Sequence, residues 1–245
     1  MNDKKKDKKK DKRNDQAKKH GVRGFVHENG MSLGFGLAFL LALAGQAVAG
    51  WSEFNDQLAT DGLAQIGFPG YLASSDFAVD VTENWQSEYL QFFLYIFATV
   101  WLLQRGSPES KSMAEAGPES DEEQRMGAHA RADSPRWAGV SGLRQAVFSR
   151  SLGLVMAAIF LLSWFGQSVA GVAAYNEQQL RQLQGPIGWA SYLTSADFWS
   201  RTLQNWQSEL LAVASMAILS VYLRQRGSPE SKPVGAPHTS TGTEE

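Results

Sequence analysis

The sequence predicts an all-α, polytopic membrane protein with four transmembrane helices, arranged as two tandem, parallel two-helix repeats. Three observations predict this fold: four apolar segments of membrane-crossing length, an internal duplication with a constant offset, and basic residues concentrated on one side of the predicted spans. The mean hydropathy of −0.27 hides the pattern, because very polar ends flank very apolar segments. The apolar segments therefore have to be considered separately.

The first and third apolar segments, residues 31–50 and 151–174, contain no charged residue. The second and fourth, 85–104 and 206–225, are shorter apolar runs with polar residues at their ends. Twenty residues of α-helix are about 30 Å long, which is the thickness of a hydrocarbon core. The alternative, buried helices of a soluble protein, would favour amphipathic segments, but the longer runs are apolar on every side. Four transmembrane helices are expected.

The two halves of the chain are similar at a constant offset of 121 residues. The similarity is strongest in three clusters, which are Gly-Gln at 45 and 166, Asn-Trp-Gln-Ser-Glu at 84 and 205, and Gln-Arg-Gly-Ser-Pro-Glu-Ser-Lys at 104 and 225. Between residues 45–111 and 166–232, 30 of 67 aligned positions are identical. The apolar residues between the clusters have diverged, so the shared polar residues indicate a common role in both copies.

Basic residues are distributed unevenly along the chain. Residues 1–24 hold nine Lys and two Arg and residues 104–150 hold seven basic residues, whereas residues 51–88 hold none and 172–209 hold two. The positive-inside rule therefore predicts that both termini and the central linker are cytoplasmic. Both repeats then enter the membrane in the same direction and are related by an axis along the membrane normal.

A cleavable signal peptide is an alternative interpretation of the first apolar segment. A basic N-terminus, an apolar stretch and Ala47-Val48-Ala49 together resemble a signal peptide with its cleavage site. The equivalent Ser168-Val169-Ala170 lies in the middle of the chain, so both copies have a shared reason to carry small residues there. We expect the first helix to be retained.

Five segments are expected along the chain. They are a disordered Lys/Asp-rich cytoplasmic tail at 1–20, repeat 1 at 21–111, an acidic cytoplasmic linker at 112–141, repeat 2 at 142–232 and a disordered cytoplasmic tail at 233–245. The second helix of each repeat is expected to begin after an N-capping serine, Ser74 or Ser195, and to run for about 30 residues because no breaker occurs before the glycine of the last cluster.

A candidate polar layer is expected near the outer surface of the membrane, just below the tryptophans of the aromatic belt. It consists of Gln46, Gln167, Glu88, Glu209, Asn84 and Asn205. The favoured interpretation is that these side chains brace the bundle by hydrogen bonds between helices. The alternative is that Glu88 and Glu209 form a carboxylate pair that takes up a proton or a cation.

A candidate cytoplasmic turn site is expected where the second helix of each repeat leaves the membrane. It consists of Arg105, Ser107, Glu109, Lys111, Arg226, Ser228, Glu230 and Lys232. Gly106 and Gly227 suit a left-handed C-cap, and the following Pro prevents continuation of the helix. The Gly and Pro residues are sufficient to end the helix, and they do not require the Ser, Glu and Lys residues around them. The turns are therefore expected to contact a common partner: each other, a lipid head group or another protein.

Several chemistries lack the residues they need. The chain contains no Cys, so disulfides and thiolate metal sites are excluded. The four His lie outside the apolar segments, so no bis-histidine haem site is expected in the bundle. No nucleophile, base and orienting acid are grouped in the sequence, and no Gly-rich phosphate loop occurs. We therefore expect no enzyme activity, no cofactor, no metal and no nucleic-acid partner.

With these paired motifs, the chain resembles a bacterial family of uncharacterised integral membrane proteins known as a domain of unknown function, over roughly residues 21–232. The resemblance implies a bacterial inner (plasma) membrane location and carries no activity. We expect a non-enzymatic structural or interaction component, with the lipid bilayer and either a homo-oligomer or another membrane protein as partners. The alternatives are a small transporter or channel that uses the polar layer, and an envelope-sensing accessory.

Overall fold

A computed structural model of the chain describes residues 22–242. All regular structure within these residues is helical, which confirms the all-α class. The tail expected at 1–20 and the last three residues lie outside the described range. The chain divides into two compact units, Met1–Leu72 and Ala73–Glu245, which are described separately.

Unit 1 contains helix α1 (Val22–Glu28), the long helix α2 (Gly30–Thr60) and the short helix α3 (Phe68–Leu72). Asn55 fastens the segment after α2 back onto the helix: its Nδ2 donates to the Ile66 carbonyl at 3.0 Å, and its Oδ1 accepts from the Ile66 N–H at 2.8 Å. The Tyr71 hydroxyl lies so close to Gly50 that a Cβ atom on residue 50 would clash with it. Gly50 is therefore required for the close approach of α2 and α3.

Unit 2 contains helices α4 (Ser75–Ala98), α5 (Leu143–Phe148), α6 (Ser151–Arg181), α7 (Trp189–Tyr192) and α8 (Ala196–Tyr222). A one-turn 3₁₀ helix, Gly127–His129, lies between α4 and α5. Helix α4 runs antiparallel to α6: the charges of Asp76 and Arg181 interact at one end, and Gly153 faces Ile96 at the other. Helix α8 runs parallel to α4, as the pairs Glu83–Arg201 and Gln86–Trp206 show.

The connection after α6 has the same geometry as the connection after α2. Asn176 Nδ2 donates to the Ile187 carbonyl at 2.9 Å, and Asn176 Oδ1 accepts from the Ile187 N–H at 2.8 Å. The Tyr192 hydroxyl lies against Gly171, as Tyr71 does against Gly50 in unit 1. Helices α2 and α6 each have 31 residues and begin 151 − 30 = 121 residues apart. Similar sequences at this offset therefore adopt the same local structure.

Helices α4 and α8 begin as predicted and end earlier. Ser74 and Ser195 accept hydrogen bonds from the Phe77 and Phe198 N–H groups, which confirms both as N-caps. The helices have 24 and 27 residues where about 30 were expected. The chain that follows turns back towards the helix end: the Gly117 N–H donates to the Val100 carbonyl at 2.7 Å, just beyond α4.

Two helices of the described range, α2 and α6, are long and apolar enough to cross a membrane. The most apolar 18 residues of each have a mean hydropathy of 1.8. A helix of 31 residues is about 47 Å long, which exceeds the hydrocarbon core of about 30 Å. Each helix is therefore longer than the hydrocarbon region is thick. In α6, the part that extends beyond this region includes Asn176, which hydrogen-bonds to the segment that follows the helix.

Candidate functional site

Two clusters of polar residues in unit 2 are candidate functional sites. The first lies between α4, α6 and α8 and is called the amide layer; it comprises Gln86, Gln167, Thr202, Trp206 and the neighbouring ion pair Glu83–Arg201. The second lies beyond the ends of α4 and α8 and is called the paired turns, residues 104–111 and 225–232. Both clusters include motif residues that are identical in the two halves of the sequence.

The amide layer is centred on two glutamines that have 0% exposure, Gln86 and Gln167. Trp206 Nε1 donates to Gln86 Oε1 at 2.6 Å, and Gln167 Nε2 donates to Thr202 Oγ1 at 3.4 Å. Within the described residues, Gln86 Nε2 and Gln167 Oε1 have no hydrogen-bond partner. One donor and one acceptor are thus buried and unpaired, which is unfavourable by about 1–3 kcal/mol per group.

An ion pair joins α4 to α8 beside the two glutamines. Arg201 NH1 lies 3.1 Å from Glu83 Oε2, and Arg201 Nε lies 3.6 Å from Asp197 Oδ2 on its own helix. The Tyr192 hydroxyl donates to the same Asp197 oxygen at 2.9 Å. These contacts link α7 and α8 to α4 through charged groups, so this end of unit 2 is held by electrostatic as well as apolar contacts.

The remaining members of the predicted polar layer lie in different surroundings. Asn84 and Asn205 each donate to a carbonyl one turn earlier on their own helix, at 2.7 and 3.0 Å. Glu88 is exposed and Glu209 half-buried, and they lie close enough for their charges to interact. Gln46 is exposed on α2 in unit 1. The structure thus brings Glu88 towards Glu209 and buries Gln167 among α4 and α8.

Both turns are held by the same pattern of serine hydrogen bonds. In the first turn, Ser107 Oγ accepts from the Glu109 N–H at 3.2 Å and Ser110 Oγ accepts from the Gln104 N–H at 2.9 Å. In the second turn, the equivalent serines make the same bonds to Glu230 and Gln225, at 3.2 and 2.8 Å. The serines therefore stabilise the conformation of both turns, which is a role that the end of the helix alone does not require.

The glycines of both turns adopt the predicted left-handed conformation, with φ of +83° at Gly106 and +86° at Gly227. An L-residue with a side chain is disfavoured at this φ. The prediction that these glycines are helix C-caps is wrong, because α4 and α8 end several residues earlier, with Thr99 and Leu223 at their C-caps. Arg105 and Arg226, which precede the glycines, are exposed.

The lysine that ends each turn holds the segment that follows it. Lys111 Nζ donates to the Gly117 carbonyl at 3.1 Å and pairs with Glu119 at 2.9 Å. Lys232 has 4% exposure, and its Nζ donates to the carbonyl groups of Pro237, His238 and Ser240 at 3.2, 3.0 and 3.1 Å. An ammonium group with three carbonyl acceptors has all three of its protons bonded. Each lysine thus fixes a loop back onto its own turn.

The last described residues of the chain also contact the first turn. Thr241 Oγ1 accepts from the Gly106 N–H at 2.9 Å, and the Gly242 N–H donates to the Ser107 carbonyl at 2.9 Å. The segment held by Lys232 therefore lies against residues 106–107. These bonds connect the end of the second half of the chain to the turn of the first half.

The carboxyl groups of Glu109 and Glu230 meet across the two turns. They occupy equivalent positions, 230 − 109 = 121, and lie close enough for their charges to interact. The Tyr95 hydroxyl at the end of α4 donates to Glu109 Oε2. Burial raises the pKa of Glu109 to about 7, with the hydrogen bond to Glu230 and its charge adding to the effect. The paired turns therefore contain a carboxyl group that titrates near neutral pH.

Sequence reasoning missed three features of unit 2. Gln86 belongs to a recognised motif, but its burial is not evident from the motif alone. Glu83 and Arg201 align with Gln204 and Asp80, so the ion pair has no counterpart that a comparison of the halves could reveal. Asn176 aligns with the identical Asn55 when the two halves are compared. Its role could therefore have been suspected from this single identical position outside the three clusters. In the described part of the chain, no three His, Asp or Glu side chains are grouped as ligands for a metal ion.

Comparison with known proteins gives one match. The model of the family described as a domain of unknown function, DUF6766, matches residues 22–243. No curated protein and no solved structure matches the chain.

Proposed function

The chain belongs to the DUF6766 family, whose description assigns no role, and we propose that it is a non-enzymatic integral membrane protein. We propose further that it serves as a structural or interaction component of the bacterial inner membrane. In this proposal α2, α4, α6 and α8 cross the bilayer as two tandem two-helix repeats, and both termini face the cytoplasm. The partners are lipid and either a second copy or another membrane protein.

The observation that carries the proposal is the apolar surface of α6. A charge-free segment of this helix presents large apolar side chains outward, which would be unfavourable in water and favourable in lipid. The exposed residues are Leu152, Leu154, Val155, Leu161, Leu162, Phe165 and Val169. Helix α8 adds Leu210, Leu211, Met216, Ile218 and Leu219.

The helix directions support the proposed topology. Helix α6 is antiparallel to α4 and lies in the same unit as α8, which is parallel to α4. If α6 enters from the cytoplasm, as the basic residues before it favour, α4 and α8 both return to the cytoplasm. The paired turns then lie on the cytoplasmic side, where Arg105 and Arg226 suit the positive-inside rule.

A bracing role is supported by the way unit 2 uses its polar side chains. Trp206 binds Gln86 and Arg201 binds Glu83, so polar groups of α8 are bonded to polar groups of α4. Hydrogen bonds between transmembrane helices contribute about 0.6–2 kcal/mol each. Polar side chains used in this way hold helices in register, as a structural component requires.

The proximity of Glu88 and Glu209 favours a second candidate, a small transporter or channel. Two interacting carboxylates near the outer surface can take up a proton or a cation. Gln86 Nε2 and Gln167 Oε1 add an unpaired donor and acceptor within the same unit. This candidate predicts ion flux, which the structural role does not.

Membrane extraction tests the proposed class directly. We expect the protein to remain with the membrane pellet after washing at alkaline pH and after urea, and to be released only by detergent. Release by either wash would show that the exposed faces of α6 and α8 are covered by protein, and would contradict integral insertion. A peripheral membrane protein expressed in the same cells serves as the control for complete washing.

A further inference from the structure

We propose that the second turn, residues 225–232, binds residues 140–144 of a second copy of the chain. The first turn, residues 104–111, shows what such a turn binds, because the end of the same chain covers it. The inference deepens the proposed function, since it identifies the partner as a second copy. It rests on that function for the placement of both segments on the cytoplasmic side of the membrane.

The first turn is covered by a hydroxyl residue that is followed by glycine. Thr241 Oγ1 accepts from the Gly106 N–H at 2.9 Å. The Gly242 N–H donates to the Ser107 carbonyl, also at 2.9 Å. Gly242 has a φ of +72°, and a Cβ on it would lie 3.1 Å from the Ser110 carbonyl oxygen, so this position favours glycine. The turn thus binds a hydroxyl oxygen and the N–H of a left-handed glycine.

The second turn has the same conformation but is open. Its glycine, Gly227, has a φ of +86°, and its two serines bond to the backbone as those of the first turn do. Gly106 is buried, and a Cβ there would clash with the His238 carbonyl oxygen. Gly227 is exposed, and in the described part of the chain its N–H has no hydrogen-bond acceptor. The second turn therefore offers to a partner the donor that the first turn uses within the chain.

The first half of the chain does not supply a segment that covers the second turn. Residues 120 and 121 align with residues 241 and 242. Ser120 Oγ donates to Glu123 Oε2 at 2.7 Å, so this hydroxyl is engaged within the linker. Asp121 stands at the position of the left-handed glycine, where a residue with a side chain is disfavoured. The two halves differ here, and this difference leaves the second turn uncovered.

Ser141 and Gly142 share the properties of the segment that covers the first turn. They are a hydroxyl residue followed by glycine, and Gly142 has a φ of +77°, close to the +72° of Gly242. Both residues are exposed. A Cβ on Gly142 or on Gly227 would meet no atom within 4 Å, so the two segments do not contact each other within one copy. A second copy in the same membrane can bring them together.

A cleft beside Ser141 provides space for the second turn of the other copy. Its volume of about 770 Å³ lies in the range of ligand-binding pockets. The residues that line it with Ser141 are Gly127, Ala128, Gly139, Val140, Leu143 and Arg144. Arg144 is exposed, and so is Glu230 on the second turn. The contact therefore brings opposite charges together, which favours this pairing over others.

Disulfide cross-linking of the full-length protein in inside-out membrane vesicles tests the contact, because the chain has no native Cys. R226C and L143C place exposed cysteines on the second turn and beside the cleft. After oxidation, R226C/L143C should give cross-linked species of two or more chains, and each single variant should remain a monomer. R105C/L143C is the matched control, since Arg105 is the exposed equivalent of Arg226 on the covered turn. The absence of cross-linked chains, or an equal yield from R105C/L143C, would overturn the proposal.

Charge exchange tests the specificity of the contact in the same R226C/L143C background. E230R should lower the yield of cross-linked chains by about fivefold, because repulsion replaces attraction at an exposed pair. R144E should have a similar effect, and E230R combined with R144E should restore the yield. Failure of the combined variant to recover the yield would contradict the pairing of Glu230 with Arg144.

Labelling of the same vesicles separates this inference from the proposed function. A membrane-impermeant maleimide should label both R226C and L143C from the cytoplasmic side. If both are labelled and no cross-link forms, the contact between copies is wrong and the topology stands. If the two cysteines are labelled from opposite sides, the topology and the contact are both wrong.

Discussion

Trp206 donates its indole N–H to the side-chain carbonyl of Gln86 at 2.6 Å. The two residues come from different copies of the Asn-Trp-Gln-Ser-Glu motif, so one copy of the motif binds the other. Glu109 and Glu230, which are also identical in the two halves, lie beyond the C-terminal ends of α4 and α8, close enough for their charges to interact. Residues that are identical in the two halves therefore meet at contacts between the halves, which gives a physical reason why both copies keep them.

Replacement of Trp206 by Phe tests the bond at the centre of the amide layer. The ring is largely preserved, but Gln86 Oε1 loses its donor and becomes a second unpaired atom of a fully buried side chain. We expect W206F to lower the free energy of unfolding by about 1–3 kcal/mol, measured by denaturant titration in detergent micelles. The matched variant W137F alters a half-exposed tryptophan that contacts Phe148, and it should change stability by less than about 0.5 kcal/mol. Equal effects of the two variants would show that the hydrogen bond from Trp206 to Gln86 does not stabilise the protein.

Substitution of Gly171 by Ala tests the close approach of α6 and α7. An added Cβ would lie 2.5 Å from the Tyr192 hydroxyl, which is held by Asp197. We expect G171A to destabilise unit 2 by about 1–3 kcal/mol, measured as a lower thermal midpoint. G185A provides the control, because a Cβ at Gly185 meets no atom within 4 Å. A thermal midpoint for G171A as high as that for G185A would show that the contact is not tight.

Lys232 tests the attachment of the C-terminal segment. K232A removes three hydrogen bonds to residues 237–240. Because this segment places Thr241 and Gly242 on the first turn, we expect faster amide exchange at Gly106 and Gly242 by hydrogen-exchange mass spectrometry. K111A should instead accelerate exchange near Gly117, whose carbonyl accepts from Lys111. Unchanged exchange at both glycines in K232A would contradict the proposed role of this lysine.

The double variant E88Q/E209Q separates the structural role from transport. If these carboxylates only brace the helix bundle, the variant should fold as the wild type does. Proton and cation flux into liposomes should then be the same for both proteins. Loss of a flux that the wild-type protein supports, with folding intact, would favour the transporter and overturn the structural proposal.

Local signals in the sequence predicted the parts of the structure that depend on neighbouring residues. Ser74 and Ser195 were identified as caps because capping is decided within one helical turn. Gly106 and Gly227 were identified because a left-handed residue strongly favours glycine. In each case the residue type and its immediate neighbours contain the physical cause.

Other features depend on contacts that a single sequence does not reveal. The ends of α4 and α8 were misjudged because residues further along the chain bond to carbonyls near both helix ends: the Gly117 N–H donates to the Val100 carbonyl just beyond α4, and Arg224 NH1 donates to the Val221 carbonyl in the last turn of α8. The Glu83–Arg201 pair could not be predicted, because oppositely charged residues occur at many positions and only packing selects among them. For Glu109 the sequence left open a lipid, a protein or the other turn as partner, and the structure places the Tyr95 hydroxyl against it.

Cysteine labelling tests the central claim, that two parallel repeats cross the membrane in the same direction. T60C and Q182C lie at and just after the ends of α2 and α6, and both positions are exposed. In spheroplasts, a membrane-impermeant maleimide should label both, whereas S112C, beyond the first turn, should be labelled only after permeabilisation. Labelling of T60C and Q182C from opposite sides of the membrane, or of both only after permeabilisation, would contradict the parallel four-helix arrangement.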